Sequence, residues 1–165
     1  MTIPRRKTVD LSSYPHLVVI YLGMKAHSWR GMRTVIGFGR EIATALDQRP
    51  AGLLRSENFL FSLRHAAFRQ YWSDFESLER WARSFPHSEW WKRFMRDRGG
   101  TGFWHEIYER RGEIEAVYID LEPLGLASFA PLREARGSLF SARRRLGRTD
   151  RGDSDSAVDE QEIYG

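Results

Sequence analysis

The chain has 165 residues, of which 41% are hydrophobic and 13% aromatic, and it contains no cysteine. That size suits one domain with flexible ends, and the missing thiol excludes disulfides, thiolate nucleophiles, cysteine-type zinc sites and iron–sulfur clusters. The net charge of +4 sits at the ends: Arg5, Arg6 and Lys7 open the chain, seven arginines face only Glu134 and Asp150 between 133 and 151, and an acidic stretch closes it.

Leu17–Met24 (LVVIYLGM) is the longest apolar run and reads as a buried first strand. It falls far short of the roughly 20 apolar residues a membrane span needs, and no signal-peptide core follows the basic start. A cytoplasmic protein is therefore expected. Met32, Val35, Ile36, Gly39, Ile42, Ala43 and Leu46 mark one helical face, which Arg49 and Pro50 end. GLLRSENFLFSL and HAAFRQYW, between 52 and 72, read as two strands turning near Arg64 and His65.

Ser73 and Asp74 offer a cap for a helix whose stripe is Phe75, Leu78, Ala82 and Phe85. Pro86 breaks it, and a second short helix runs from His87 to Gly99 and Gly100. Thr101–Arg111 reads as a strand, Gly112 as a turn, and Ile114–Leu121 as a last strand closing a hairpin. The order is β-α-β-β-α-(α)-β-β. It predicts an α+β fold, a ferredoxin-like antiparallel sheet with helices on one face and an added C-terminal strand. The bare face calls for a second sheet, which a homodimer supplies.

The domain is expected over 15–131, after a flexible N-terminus at 1–14. Residues 132–165 form a basic and then acidic tail. Its first part suits an amphipathic helix through Leu132, Ala135, Leu139, Ala142 and Leu146, and its end suits disorder. Little net charge remains for residues 8–132, so nucleic acid is not an expected partner of the fold; any such contact would fall to Arg143, Arg144 and Arg145.

The histidines carry the chemistry. His87, Trp91 and Phe94 share a helical face at i, i+4 and i+7, and Phe103, His105 and Ile107 share a strand face. Two imidazoles on apolar faces are placed to flank one flat apolar ligand, and haem is such a ligand. The plainer alternative is two packed or partly exposed histidines. Lys92 or Arg93 would serve haem propionates. Glu106 lies on the opposite strand face and reads as a structural or dimer-contact carboxylate. His27 is a reserve ligand, His16 reads as exposed, and His65 reads as a solvent position at a hairpin tip. No HxxxH or HxxE pair occurs within a helix, and GFG at 37–39 lacks the strand–turn–helix setting of a dinucleotide site.

Six words in order carry a resemblance: LVVIYLGMK, GLL at 52–54, QYWSDFESLERWAR at 70–83, HSEWWKRF at 87–94, GFWHEIY at 102–108 and AVYIDLEPLGL at 116–126. Together they resemble a family of bacterial monooxygenase-like proteins in the dimeric α/β-barrel superfamily, over roughly residues 15–130. More distantly, the chain is similar to haem-containing members of that superfamily, the aldoxime dehydratases and spheroidene monooxygenase. In the dehydratases a histidine at the start of a late helix is the axial haem ligand, and a second, in a strand word like WHE, handles protons on the distal side. The resemblance assigns the axial role to His87 and the distal role to His105. Their separation of 18 residues is shorter than that arrangement implies, which fits a trimmed loop at Arg98–Thr101. The dehydratases' larger N-terminal portion has no counterpart in this sequence.

The expectation is a haem-binding enzyme acting on a small apolar organic molecule, by dehydration or by oxygen transfer. His87 would be the metal ligand, Trp91, Phe94 and Phe103 would pack against the cofactor, and His105 would be the catalytic acid–base group. Two alternatives stay open: a cofactor-independent monooxygenase of the same fold, and a non-catalytic ligand-binding dimeric module.

Overall fold

A computed structural model describes residues 5–147 and 161–162. The described chain forms two compact units, residues 16–109 and a second made of the two ends, 1–15 with 110–165. Most of the acidic end, where disorder was expected, lies outside the described residues.

The elements are β1 (Lys7–Val9), β2 (Val18–Ala26), α1 (Trp29–Asp47), β3 (Leu53–Ser62), β4 (His65–Trp72), α2 (Phe75–Arg83), α3 (His87–Arg96), β5 (Thr101–Glu109), β6 (Leu132–Glu134) and α4 (Ala142–Arg145). In the 16–109 unit the four strands form one antiparallel sheet in the order β3-β4-β2-β5. With the β-α-β-β-α-β chain order, this is the ferredoxin-like α+β arrangement. Strand alternation decides which side chains meet the helices. Val18, Ile20 and Leu22 point to one face, where Leu78 of α2 joins them and Trp72 in a buried cluster. Phe38 and Ala45 of α1 pack with Trp90 and Phe94 of α3 in a second cluster, and Trp81 and Phe103 touch both.

Local chemistry explains the helix starts. The Ser28 side chain accepts from the Gly31 amide and caps α1, and Asp74 accepts from the Ser77 amide and caps α2. The inward face of α1 is rotated from the expected one. Gly31, Val35, Phe38, Ala45 and Leu46 are buried, while Ile36 is exposed. On α2, Leu78 is buried as expected, but Phe75 and Phe85 are exposed and Trp81 takes the core position. The strand expected at Ile114–Leu121 does not form. Arg110 donates to the carbonyls of Leu11, Tyr14 and Gly112, which turns the chain off the hairpin course. Tyr118 instead bridges Lys7.

The described part of the end unit forms strands and turns where flexibility and a tail helix were expected. β1 pairs antiparallel with β6, Lys7 facing Glu134 and Val9 facing Leu132. Leu11 is buried, and Tyr14 packs edge-on against Phe129. In place of one amphipathic helix, residues 132–146 form β6, a 3-10 turn at Gly137–Leu139 and the single turn of α4. Arg145 is buried, pairs with Glu115, and donates to the carbonyls of Leu139 and Phe140, so it is an internal brace rather than part of an open basic patch. Among the described residues no helix is long and apolar enough to cross a membrane.

Candidate functional site

Three parallel rows of side chains cross the helix-facing side of the sheet. Ser56, Gln70, Ile20 and Ile107 form one, Asn58, Phe68, Leu22 and His105 the next, and Leu60, Ala66, Met24 and Phe103 the third. Above them α1, α2 and α3 leave a cavity of about 570 Å³ whose walls are almost entirely apolar. That volume is in the range of small-molecule and cofactor sites, roughly 300–1,000 Å³.

His87, Trp91, Phe94, Phe103 and His105 all line this cavity, although they come from two separate elements. Each imidazole sits in its own set of ring contacts on the wall. His105 lies 5.8 Å from Phe103, Phe103 lies 5.5 Å from Trp91 and 5.9 Å from Phe94, and His87 is flanked by Trp81 at 4.8 Å and Trp90 at 5.9 Å.

The two histidines differ in environment. His87 opens α3 and is largely buried, and its Nδ1 lies 2.8 Å from the carbonyl oxygen of Ala82. A carbonyl can only accept, so Nδ1 carries the proton and Nε2 keeps its lone pair. Burial pushes the His87 pKa below its ordinary value, against the smaller opposing effect of the Ala82 hydrogen bond. The ring is thereby held neutral, with Nε2 as a ready ligand or acceptor. His105 is exposed and lines the cavity.

The charged lining residues, Glu79, Arg83 and Lys92, are exposed and paired at the surface, Arg83 with Glu79 and Lys92 with Glu89. The cavity thus has a dry interior and a charged rim. Arg93 does not line it; that side chain pairs with Glu41 and lies over the Phe38 ring. His27 lies beside Gly102, outside the cavity lining. His65 is not a free hairpin-tip residue: its Nε2 accepts from Trp104 Nε1 at 2.8 Å. Glu106 is exposed and accepts from the Tyr108 hydroxyl, which holds that phenol's pKa above its usual value. Gly37 and Gly39 sit within α1 with open space beside them, so GFG cradles nothing. Among the described residues no group of three or more His, Asp or Glu is placed to hold a metal ion.

Among the lining residues sequence reasoning missed are Trp81, Trp90 and Gln70. Trp81 and Trp90 flank His87 through packing between helices, which local periodicity does not encode. Gln70 did leave a signal: in HAAFRQYW it shares the inward phase with Phe68 and Trp72, and a polar residue in an apolar phase marks a buried amide.

Comparison with known structures places this architecture. An aldoxime dehydratase superposes with a TM-score of 0.63 at 22% identity over 86% of this chain. The aldoxime dehydratase OxdRE, in complex with butyraldoxime, gives 0.60 at 20% identity over 87%. The chain spans 43% of the length of each of these dehydratases. SnoaB, a cofactor-independent oxygenase from Streptomyces nogalater, gives 0.46 at 14% identity over 61% of this chain and 98% of its own. No curated protein sequence matches the chain. The monooxygenase af470-like family matches residues 17–126, from the first strand of the sheet to beyond its last. The chain belongs to the monooxygenase af470-like family.

Proposed function

We propose that this chain is an enzyme that binds haem in the cavity through His87 Nε2 and acts on a small apolar organic molecule, with His105 as the acid–base group. The observation that carries the reading is the His87 hydrogen bond. Donation of Nδ1–H to the Ala82 carbonyl fixes the tautomer, orients the ring and leaves Nε2 free on a cavity-lining residue. Metal-bound histidines commonly have this second contact. Family membership and the fold shared with aldoxime dehydratases support an enzyme of oxygenase or dehydratase type.

The residues present suit haem. Trp91, Phe94 and Phe103 offer flat apolar surface, and Lys92 and Arg83 on the cavity rim would pair with propionates. When bound, haem supplies a Lewis-acidic, redox-active iron. The chain's own contribution is to hold one imidazole neutral at His87, exclude water along the apolar walls, and present His105 to a bound substrate.

Haem-loaded protein tests this directly. His87→Ala should lose the Soret band while keeping its circular dichroism. His105→Ala should keep the band and lose turnover of an alkyl or aryl aldoxime by 10²-fold or more, in the usual range for an acid–base group. Full haem occupancy in folded His87→Ala would reject the ligand assignment.

We also propose that the active form is a homodimer joined through the sheet face opposite the helices. That face carries Tyr21, Phe59, Tyr71 and Tyr108 around a half-buried Arg69–Glu57 pair. Phe59 and Tyr108 are exposed on it. Burial opposes the charge on the Arg69 guanidinium, and hydrogen bonds to Tyr21 and Glu57 hold it against that; the exposed Glu106 carboxylate and Arg55 lie on the same face.

A further inference from the structure

Gln70 is the most deeply buried polar side chain of the cavity. It has no exposed surface and lines the cavity, yet its Nε2 has no hydrogen-bond partner among the described residues. The orientation of the amide is determined by its neighbour. Trp72 Nε1 can only donate, and it donates to Gln70 Oε1 at 3.1 Å. That fixes the oxygen on the tryptophan side and leaves the NH₂ group as the unpaired end. A buried donor without an acceptor is destabilising, a cost that a ligand acceptor removes.

We propose that Gln70 Nε2 is a specificity-determining donor that holds the hydrogen-bond acceptor of an uncharged, otherwise apolar ligand: a carbonyl, ether or oxime atom. The inference rests on the reading that this cavity takes a small organic molecule, and it does not require haem. The other cavity-lining members of its row, Ile20 and Ile107, are apolar, so a ligand with one acceptor matches and one with several does not. Gln70 stands one row along from His105 with β2 between them, which puts their Cα atoms about 12 Å apart by strand spacing and rise. A molecule anchored by its acceptor at Gln70 extends towards His105 with its apolar body.

Ser56 is the competing partner. It faces Gln70 across β3 and β4, and its Oγ is also buried and unpaired. It does not line the cavity.

The test is heteronuclear NMR of the full chain with two shape-matched probes, acetophenone and isopropylbenzene, which differ by a carbonyl oxygen in place of a methyl group. The Gln70 side-chain NH₂ should shift with acetophenone and not with isopropylbenzene, while the indole NH of Trp81 or Trp90 responds to both. Gln70→Leu should then weaken acetophenone binding about tenfold relative to isopropylbenzene. If that variant fails to fold, Gln70→Glu, which keeps an acceptor for Trp72, should still lose the preference when its carboxyl is ionised. Both probes binding with the Gln70 amide unmoved would overturn the proposal and leave the cavity reading intact. A ligand-free amide that shifts on Ser56→Ala and then ignores both probes would overturn it in favour of an internal pair. Neither probe moving any cavity resonance would overturn the proposal together with the small-molecule reading of the cavity, whatever the haem spectrum shows.

Discussion

At the residue scale the account turns on one imidazole. Burial lowers the His87 pKa below its unfolded value near 6.5, so on acidification the unfolded chain takes up this proton first. The stability associated with His87 is fully present above about pH 6.5 and declines as pH falls towards the folded-state pKa. Haem-free wild type should therefore lose more melting temperature between pH 7.5 and 5.5 than His87→Phe, measured by differential scanning calorimetry. An equal loss in both would show that His87 is not held neutral by burial. His87, Trp91 and Phe94 were legible because i, i+4 and i+7 is a one-helix rule, and His105 because a strand alternates. The Ala82 hydrogen bond was not legible. It depends on how α2 hands over to α3, which no local spacing specifies.

At the scale of elements, the site depends on how β5 is delivered to the sheet. The loop before it is tied to the start of α1. His27 donates its backbone N–H to the Gly100 carbonyl, the Thr34 hydroxyl donates to the Gly99 carbonyl, and Arg30 pairs with Asp97. A Cβ at Gly31 would stand 2.2 Å from the Gly100 oxygen, so only glycine permits this approach. Gly31→Ala should destabilise the protein by about 2 kcal/mol, the scale of overpacking against backbone that cannot yield, and should also loosen Phe103 and His105. Urea denaturation with a change below about 0.5 kcal/mol would contradict that tie. The caps at Ser28 and Asp74 and the turn before β4 were readable because each is a short-range signal. Ile114–Leu121 was misread because its β-branched residues satisfy strand propensity, whereas its course is decided by Arg110 binding carbonyls about a hundred residues away in sequence. The end strands failed for the same reason: Lys7–Val9 and Leu132–Glu134 become strands only through each other.

At the scale of the whole molecule, the ferredoxin-like order was legible from chain pattern alone, because four strands and intervening helices leave few right-handed solutions. A sheet with aromatic side chains exposed on its second face favours association. We expect a dimer by light scattering, and Tyr108→Arg, on the exposed face beside Tyr21, should yield a folded monomer; a wild-type monomer at tens of micromolar would contradict the paired-sheet proposal. Haem held on His87 in the apolar cavity is read by an absorption spectrum of the protein purified from cells supplied with a haem precursor, before and after dithionite. A Soret band that shifts on reduction and is absent from folded His87→Ala is expected. A featureless spectrum from folded wild type, unchanged by haem titration, would contradict it and leave a cofactor-independent pocket served by His105 and Gln70.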